Sequence, residues 1–221
     1  MRYFVSEPTI EVDIVEDHAV LREGLVDWLE ANSSAVKVVG RFADWADVAA
    51  HLGVLSDVVI LDVLLGDALP LRAKIHAIVS TGSQVVVCSS VADPAVMRQA
   101  MDAGALAYVP KTASAAELEA AVLRAAGGLV SISEEVAAAL QETPAGPQLS
   151  ARELEAVSAY LGEGAGTMAE AAASLGISVD GVKKHIASVR RKFQNGSEPL
   201  TRMGLRERLL ASGWLLDERR R

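Results

Sequence analysis

The run Asp57-Val58-Val59-Ile60-Leu61-Asp62 sets four apolar residues in a row and closes them with an acid. It is too short for a helix and apolar on both alternating faces. That pattern marks a strand covered on two sides, as in a parallel sheet sandwiched between helices. The same pattern recurs outward along the chain. Ile10–Val15, Val36–Val39, Val85–Cys88 and Ala107–Val109 read as four further strands. Between them, apolar residues at helical spacing predict a helix over Ala19–Ala31, carried by Val20, Leu21, Leu25 and Leu29. Four more helices are expected over Ala43–Leu52, Leu71–Val79, Pro94–Met101 and Ser114–Ala126, the last opened by a Ser114/Glu117 capping box. Strict alternation of this kind implies an α/β fold, a (βα)5 doubly wound parallel sheet.

Beyond Gly127-Gly128 the pattern changes. A linker over 127–148 holds a short helix near Glu134–Gln141, then the helix-breaking Thr143-Pro144-Ala145-Gly146-Pro147. From Leu149 everything reads as helix. Ser150 and Glu153 form a capping box for a helix to Leu161, and a second spans Thr167–Leu175 and stops at Gly176. Ser178 caps a third, to Phe193, and a fourth covers about Leu200–Ala211. The expected division is therefore 10–126, 127–148 and 149–215, the last a small all-α four-helix domain.

Composition narrows the class. Half of the 221 residues are apolar and only 4% aromatic, so aliphatic cores are expected. The single cysteine, Cys88, excludes a disulfide scaffold and is expected as a buried apolar residue. No apolar run reaches the roughly 18–20 residues of a membrane span, and Met1–Val12 does not read as a signal peptide. A soluble, cytoplasmic protein with no membrane partner is the expectation. Charge is unevenly spread. From Val182 onward eleven Lys/Arg face four acids, a net +7, and with the whole chain at −8 the remainder carries −15. An acidic body with a basic end suggests that the end meets a polyanion, although a solvated charged surface would have the same composition.

Five polar residues lie at or just past the ends of the predicted strands: Glu16, Asp17, Asp62, Ser89 and Lys111. Strand ends of an open α/β sheet converge on one crevice. Three carboxylates, a hydroxyl and an ammonium meeting there suit a divalent cation and a phosphoryl group. Glu16, Asp17 and Asp62 supply oxygen ligands of the type Mg²⁺ takes. Asp62 is a carboxylate able to accept a phosphoryl group, and Lys111 and Ser89 can neutralise and hydrogen-bond its oxygens. Singly, each has an ordinary reading as a helix start, a turn residue or a surface lysine. Their order and strand-end placement are what is specific.

Here the chain resembles the receiver domain of bacterial two-component response regulators, a flavodoxin-like fold. The carrying segments are Ile14-Val15-Glu16-Asp17-His18, Val59-Ile60-Leu61-Asp62-Val63, Val86-Val87-Cys88-Ser89-Ser90 and Ala107-Tyr108-Val109-Pro110-Lys111. The resemblance implies Asp62 as phosphoacceptor, a histidine kinase or small phosphodonor as source, and Mg²⁺ on Glu16 and Asp17. It also implies Ser89 and Lys111 as switch and charge partner, and Tyr108 as the aromatic that changes rotamer. Three departures stand out. Gly66 occupies the position where the family often has proline, the loop lacks the usual later glycine, and Ser89 replaces threonine.

The third C-terminal helix places Val182, Ile186, Val189 and Phe193 on one apolar face. Lys183, Lys184, Ala187, Ser188 and Arg191 are expected on the other, a surface that fits the major groove of double-stranded DNA. Arg190, Arg191 and Lys192 are expected at phosphates, as is Thr167 at the start of the preceding helix. This half resembles the LuxR/NarL-type helix-turn-helix domain. Leu149-Ser150-Ala151-Arg152-Glu153, Leu175-Gly176-Ile177-Ser178, Gly181-Val182-Lys183-Lys184-His185 and Val189-Arg190-Arg191-Lys192-Phe193 carry the likeness. It implies Lys183, Lys184 and Ala187 at the bases, His185 at the backbone or packed locally, and the last helix as a homodimer contact. Gly181 stands where threonine is usual.

Together these readings give a DNA-binding response regulator rather than an enzyme. The alternative is a phosphorylation-independent regulator whose receiver serves as a dimerisation platform, favoured by Gly66 and its loop. A nucleotide- or flavin-binding domain is disfavoured, since no glycine-rich phosphate loop follows the first strand. An autoinducer-type sensor is disfavoured by the scarcity of aromatics to line a pocket.

Overall fold

The computed structural model describes residues 9–67, 69–142, 146–162, 164–194 and 200–215. Five strands, β1 (Ile10–Val15), β2 (Val36–Phe42), β3 (Val58–Leu61), β4 (Gln84–Ser89) and β5 (Ala107–Pro110), form one sheet in the order β2-β1-β3-β4-β5. Every pairing is parallel. Helices α1 (Ala19–Asn32), α2 (Trp45–His51), α3 (Leu71–Ser80), α4 (Pro94–Asp102) and α5 (Ala115–Ala126) alternate with the strands. Strand order reverses between β1 and β3, which opens a crevice at their carboxyl ends.

All four residues of β3 are buried, as its unbroken apolar run requires. Val58 and Ile60 face a core with α1 and α5, while Val59 and Leu61 face one with α3 and α4. At about 1.5–3 kcal/mol for each such side chain removed from water, this strand alone anchors both layers.

β2 runs three residues past its expected end at Val39, because Arg41 and Phe42 still pair with Ile14 and Val15. The polar stretch hid this. Gly40 is required there: a Cβ would sit 2.3 Å from Asp13 Oδ1. Asp13 is itself buried, accepting from the Ser56 amide at 2.8 Å and the Ser56 hydroxyl at 2.7 Å.

The linker is more structured than its composition suggests. The Ser131 amide donates to Leu106 O at 2.7 Å, making a bridge on the β5 edge. Helix α6 (Glu134–Glu142) then seats Val136 and Ala139 in the α3–α4 core, where Arg98 donates to Leu140 O.

The C-terminal region holds α7 (Ala151–Leu161), α8 (Met168–Leu175), α9 (Val179–Phe193) and α10 (Arg202–Ala211). Gly176, at φ 62°, closes α8 in the left-handed conformation. Leu154, Val157, Leu161, Val182, Ile186, Val189, Leu205, Leu209 and Trp214 share one core. This region abuts the receiver-like sheet layer. Ala73 packs on its core, and Gln99 Nε2 donates to Ser212 O at 2.9 Å. Arg72 lies over the Trp214 ring at 5.5 Å. Three expected features lie outside the described residues: the Thr143–Ala145 breaker, the connection over 195–199, and the basic Arg219–Arg221 end.

Candidate functional site

Register brings the five predicted residues together. Val15, Leu61 and Val87 lie in one row across the sheet, and Ser89 pairs with Pro110 two residues further on. Glu16, Asp62, Ser89 and Lys111 therefore emerge at one rim. The backbone ties it: the Asp62 amide donates to Val15 O at 3.0 Å and the Lys111 amide to Ser89 O at 2.9 Å.

Lys111 Nζ stands 2.8 Å from Asp62 Oδ2 and 2.6 Å from Glu16 Oε2. Burial works against its charge, but the two carboxylates outweigh that and raise its pKa above the ordinary lysine value. For Asp62, which is 2% exposed, burial pushes the carboxyl up; Lys111 pulls the other way and Glu16 adds to the rise. The Leu64 amide approaches the carboxylate closely enough to favour its charged form. Asp62 Oδ1 is buried without a hydrogen-bond partner among the described residues. Ligand atoms of Glu16, Asp17, His18 and Asp62 lie within 4.8 Å of one another. A hard cation fits this donor set, which is rich in carboxylate and retains an unsatisfied oxygen.

His18 was not foreseen. Its Nδ1 lies 2.9 Å from Glu16 Oε1 and 2.8 Å from Asp17 Oδ1. Only its place directly after two acids signalled it. Tyr108 is 2% exposed. Its hydroxyl donates to Val91 O at 2.6 Å and is in hydrogen-bond contact with Ser89. The Val91 amide in turn donates to Ser89 Oγ at 3.3 Å. The expected switch pair is thus wired to the β4–α4 loop.

In the C-terminal region, Lys183, Lys184, Ala187 and Arg191 are exposed on α9, opposite its buried apolar face. Lys183 is held by Asp180 at 3.1 Å. Three other residues expected on that surface have partners within the protein. Lys192, expected at a phosphate, bonds Glu153 Oε2 at 2.6 Å and Gln148 O at 2.8 Å. Ser188, expected on the outer face, is half-buried and hydrogen-bonds Glu153 of α7. Thr167 serves its own helix: its hydroxyl accepts from the Glu170 amide at 3.3 Å and donates to Glu170 Oε2 at 2.9 Å. Arg190 is half-buried, and Gly181 donates its amide to the Ser178 cap at 3.1 Å.

A doubly wound parallel sheet with an acid–lysine cluster at its switch point has the make-up of the receiver domain that the sequence resembles. Comparison with known proteins agrees: residues 12–123 match the response regulator receiver domain. The chain belongs to the response regulators, of the LuxR/NarL type. It is 30% identical over 185 residues to the transcriptional regulatory protein UhpA of Salmonella typhimurium, covering 83% of this chain and 91% of that one. It is 28% identical over 195 residues to the transcriptional regulatory protein LiaR of Bacillus subtilis, covering 83% and 90%. A solved complex of the response regulator RcsB with DNA shares the fold at TM-score 0.57 and 23% identity, over 92% of this chain and 98% of that one. Among the described residues no helix is long and apolar enough to cross a membrane.

Proposed function

We propose that the protein is a cytoplasmic, DNA-binding transcriptional response regulator switched by phosphorylation of Asp62. Residues 10–126 are its receiver, 127–148 the linker and 149–215 the helix-turn-helix domain. The observation that carries this is the Asp62 carboxylate itself, buried, with one oxygen on Lys111 and the other without a partner. Such a carboxylate is oriented for attack on phosphorus. One Asp62 oxygen forms the new P–O bond as the bond to a kinase phosphohistidine, or to a small acyl phosphate, breaks. Glu16, Asp17 and Asp62 would hold Mg²⁺, which supplies charge neutralisation for the transferring phosphoryl oxygens. Lys111 then moves its pairing from the carboxylates toward the phosphoryl group, and the Ser89 hydroxyl donates to it. That draws Ser89 away from Val91 and Tyr108, and shifts the β4–α4 loop.

The partners are a sensor histidine kinase and double-stranded DNA, bound as a homodimer through the exposed face of α9. Support for the DNA reading comes from Lys183, Lys184 and Arg191 standing free of the receiver on that face. One observation favours the phosphorylation-independent alternative: Gly66 has φ 68°, so the loop after Asp62 follows a path that the family's proline could not take. One experiment separates the two. Intact protein mass after acetyl phosphate and Mg²⁺ should show a single phosphoryl adduct in wild type and none in Asp62→Asn. A folded wild type that stays unlabelled even with a phosphorylated kinase would establish the alternative.

A further inference from the structure

Lys74 is the most deeply buried charged side chain among the described residues, 1% exposed on α3. It lies on the same face as Leu71, Ile75 and Ile78, within the core that supports β3. A lysine is almost never buried to this degree without a counter-charge. Its Nζ meets Asp67 Oδ2 at 2.7 Å. Neither residue belongs to the phosphoryl cluster, and nothing in the chemistry at Asp62 uses them.

Asp67 sits five residues after Asp62, in the loop that departs from the family pattern. Its second oxygen, Oδ1, accepts the Leu69 amide at 2.7 Å. One carboxylate thus ties the loop's own turn to a helix locked in the core. Gly66, directly before it, takes the left-handed step at φ 68°. Between Asp62 and Gly66, Val63, Leu64 and Leu65 are all buried, at 1%, 5% and 6%. The Leu64 amide, which approaches the Asp62 carboxylate, lies in this stretch. The loop has one end on a strand and the other on the Lys74 anchor.

We propose that the Lys74–Asp67 ion pair is a positioning device for phosphoryl transfer: anchored on the buried Lys74, it holds the β3–α3 loop so that Leu64 stays beside the Asp62 carboxylate. It takes over the stiffening that a proline at position 66 would give, which the positive φ excludes. Displacement of a positioned group by about 1 Å can cost a hundredfold in rate, so loop rigidity is a kinetic quantity here. The inference rests on the reading of Asp62 as phosphoacceptor.

The test uses the full chain and three variants: Asp67→Asn, Lys74→Met and the double Asp67→Leu/Lys74→Met. Asp67→Asn keeps an oxygen for the Leu69 amide but removes the charge. Either single change removes one charge of the pair and lowers the Tm, whereas replacing both by apolar groups of similar size restores it to within about 3 °C of wild type. A purely structural pair would regain its function with its stability. A positioning pair would not. The double variant should label with acetyl phosphate and Mg²⁺ at least about tenfold more slowly than wild type. Its Leu64 amide resonance, read without phosphodonor, should shift or broaden. Should the double variant not fold, Asp67→Asn carries the same two readouts below its own Tm. Wild-type labelling rate with an unmoved Leu64 amide overturns the proposal. If wild type itself takes no label, the Asp62 reading fails; the Leu64 amide then decides the positioning claim by itself, displaced in its favour and unmoved against it.

Discussion

Cys88 shows how far a single position can be argued. It lies on β4 one residue before Ser89, 6% exposed, and burial pushes its thiol up to about 12, with Lys111 pulling the other way. A thiol held protonated and out of reach is inert. The native protein should give no reaction with a thiol reagent at pH 8, and one equivalent after unfolding in denaturant; rapid native reaction would place Cys88 at an open surface. The residues of the phosphoryl cluster were legible for a different reason. Each occupies a strand end, and strand ends follow from the apolar runs themselves. Lys74 was also visible in principle, as a lysine at helical spacing among Leu71, Ile75 and Ile78. Its partner was not, because Asp67 reaches it only through the path of the loop.

At the scale of the element, α9 carries two tasks with one helix. Its outer residues are exposed, while Lys192 and Ser188 clamp it to α7 through Glu153. Burial acts to raise the Glu153 pKa, but the Lys192 ammonium, the Ser150 amide and two hydroxyls outweigh it and hold the carboxyl at about 2. The unfolded value is about 4.5, so the folded pKa is depressed. The clamp's stabilisation is fully present above about pH 4.5 and is lost as pH falls through about 2, at most about 3 kcal/mol. Acid titration of thermal stability should show this loss in wild type and a flatter profile in Glu153→Gln. The two lysines then part company in a DNA assay. Lys184→Ala should weaken binding and cut the salt slope by about 1, while Lys192→Ala should lower the Tm and leave the slope alone. Equal slopes in both variants would place Lys184 away from phosphate. Periodicity distinguished the two faces of α9. It did not separate Ser188 from Ala187, whose difference depends on what α7 offers nearby.

For the molecule as a whole, the contact between the two regions decides what is displayed. The face of α9 proposed to meet DNA is exposed, while the end of α10 and the turn after it are docked on the receiver. Leu210, Ala211 and Leu215 share a cavity of about 550 Å³ with Leu64, Ser90, Val91 and Pro94, so the β4–α4 loop touches both the phosphoryl site and the helix expected to dimerise. Gly213 packs tightly against the start of α4. At φ 72°, a Cβ there would lie 2.7 Å from Ala95 O. Gly213→Ala adds both a left-handed strain of about 1–2 kcal/mol and this overlap. The variant should separate the two regions, seen as a larger radius of gyration in solution scattering; an unchanged radius would show that the contact tolerates it. No residue pattern announced this docking.

The amino-acid sequence by itself determined the alternation of strands and helices, the convergence of Glu16, Asp17, Asp62, Ser89 and Lys111, and the apolar face of α9. All of these follow from local periodicity and from the fixed geometry of a parallel sheet. The tertiary structure alone decided the partners of groups that meet across the chain: Asp67 with Lys74, Glu153 with Lys192, Asp13 with Ser56 beneath Gly40, and Gly213 with Ala95. A buried charge must find its counter-charge wherever packing brings one, and packing distances are set by the whole set of contacts rather than by spacing along the chain.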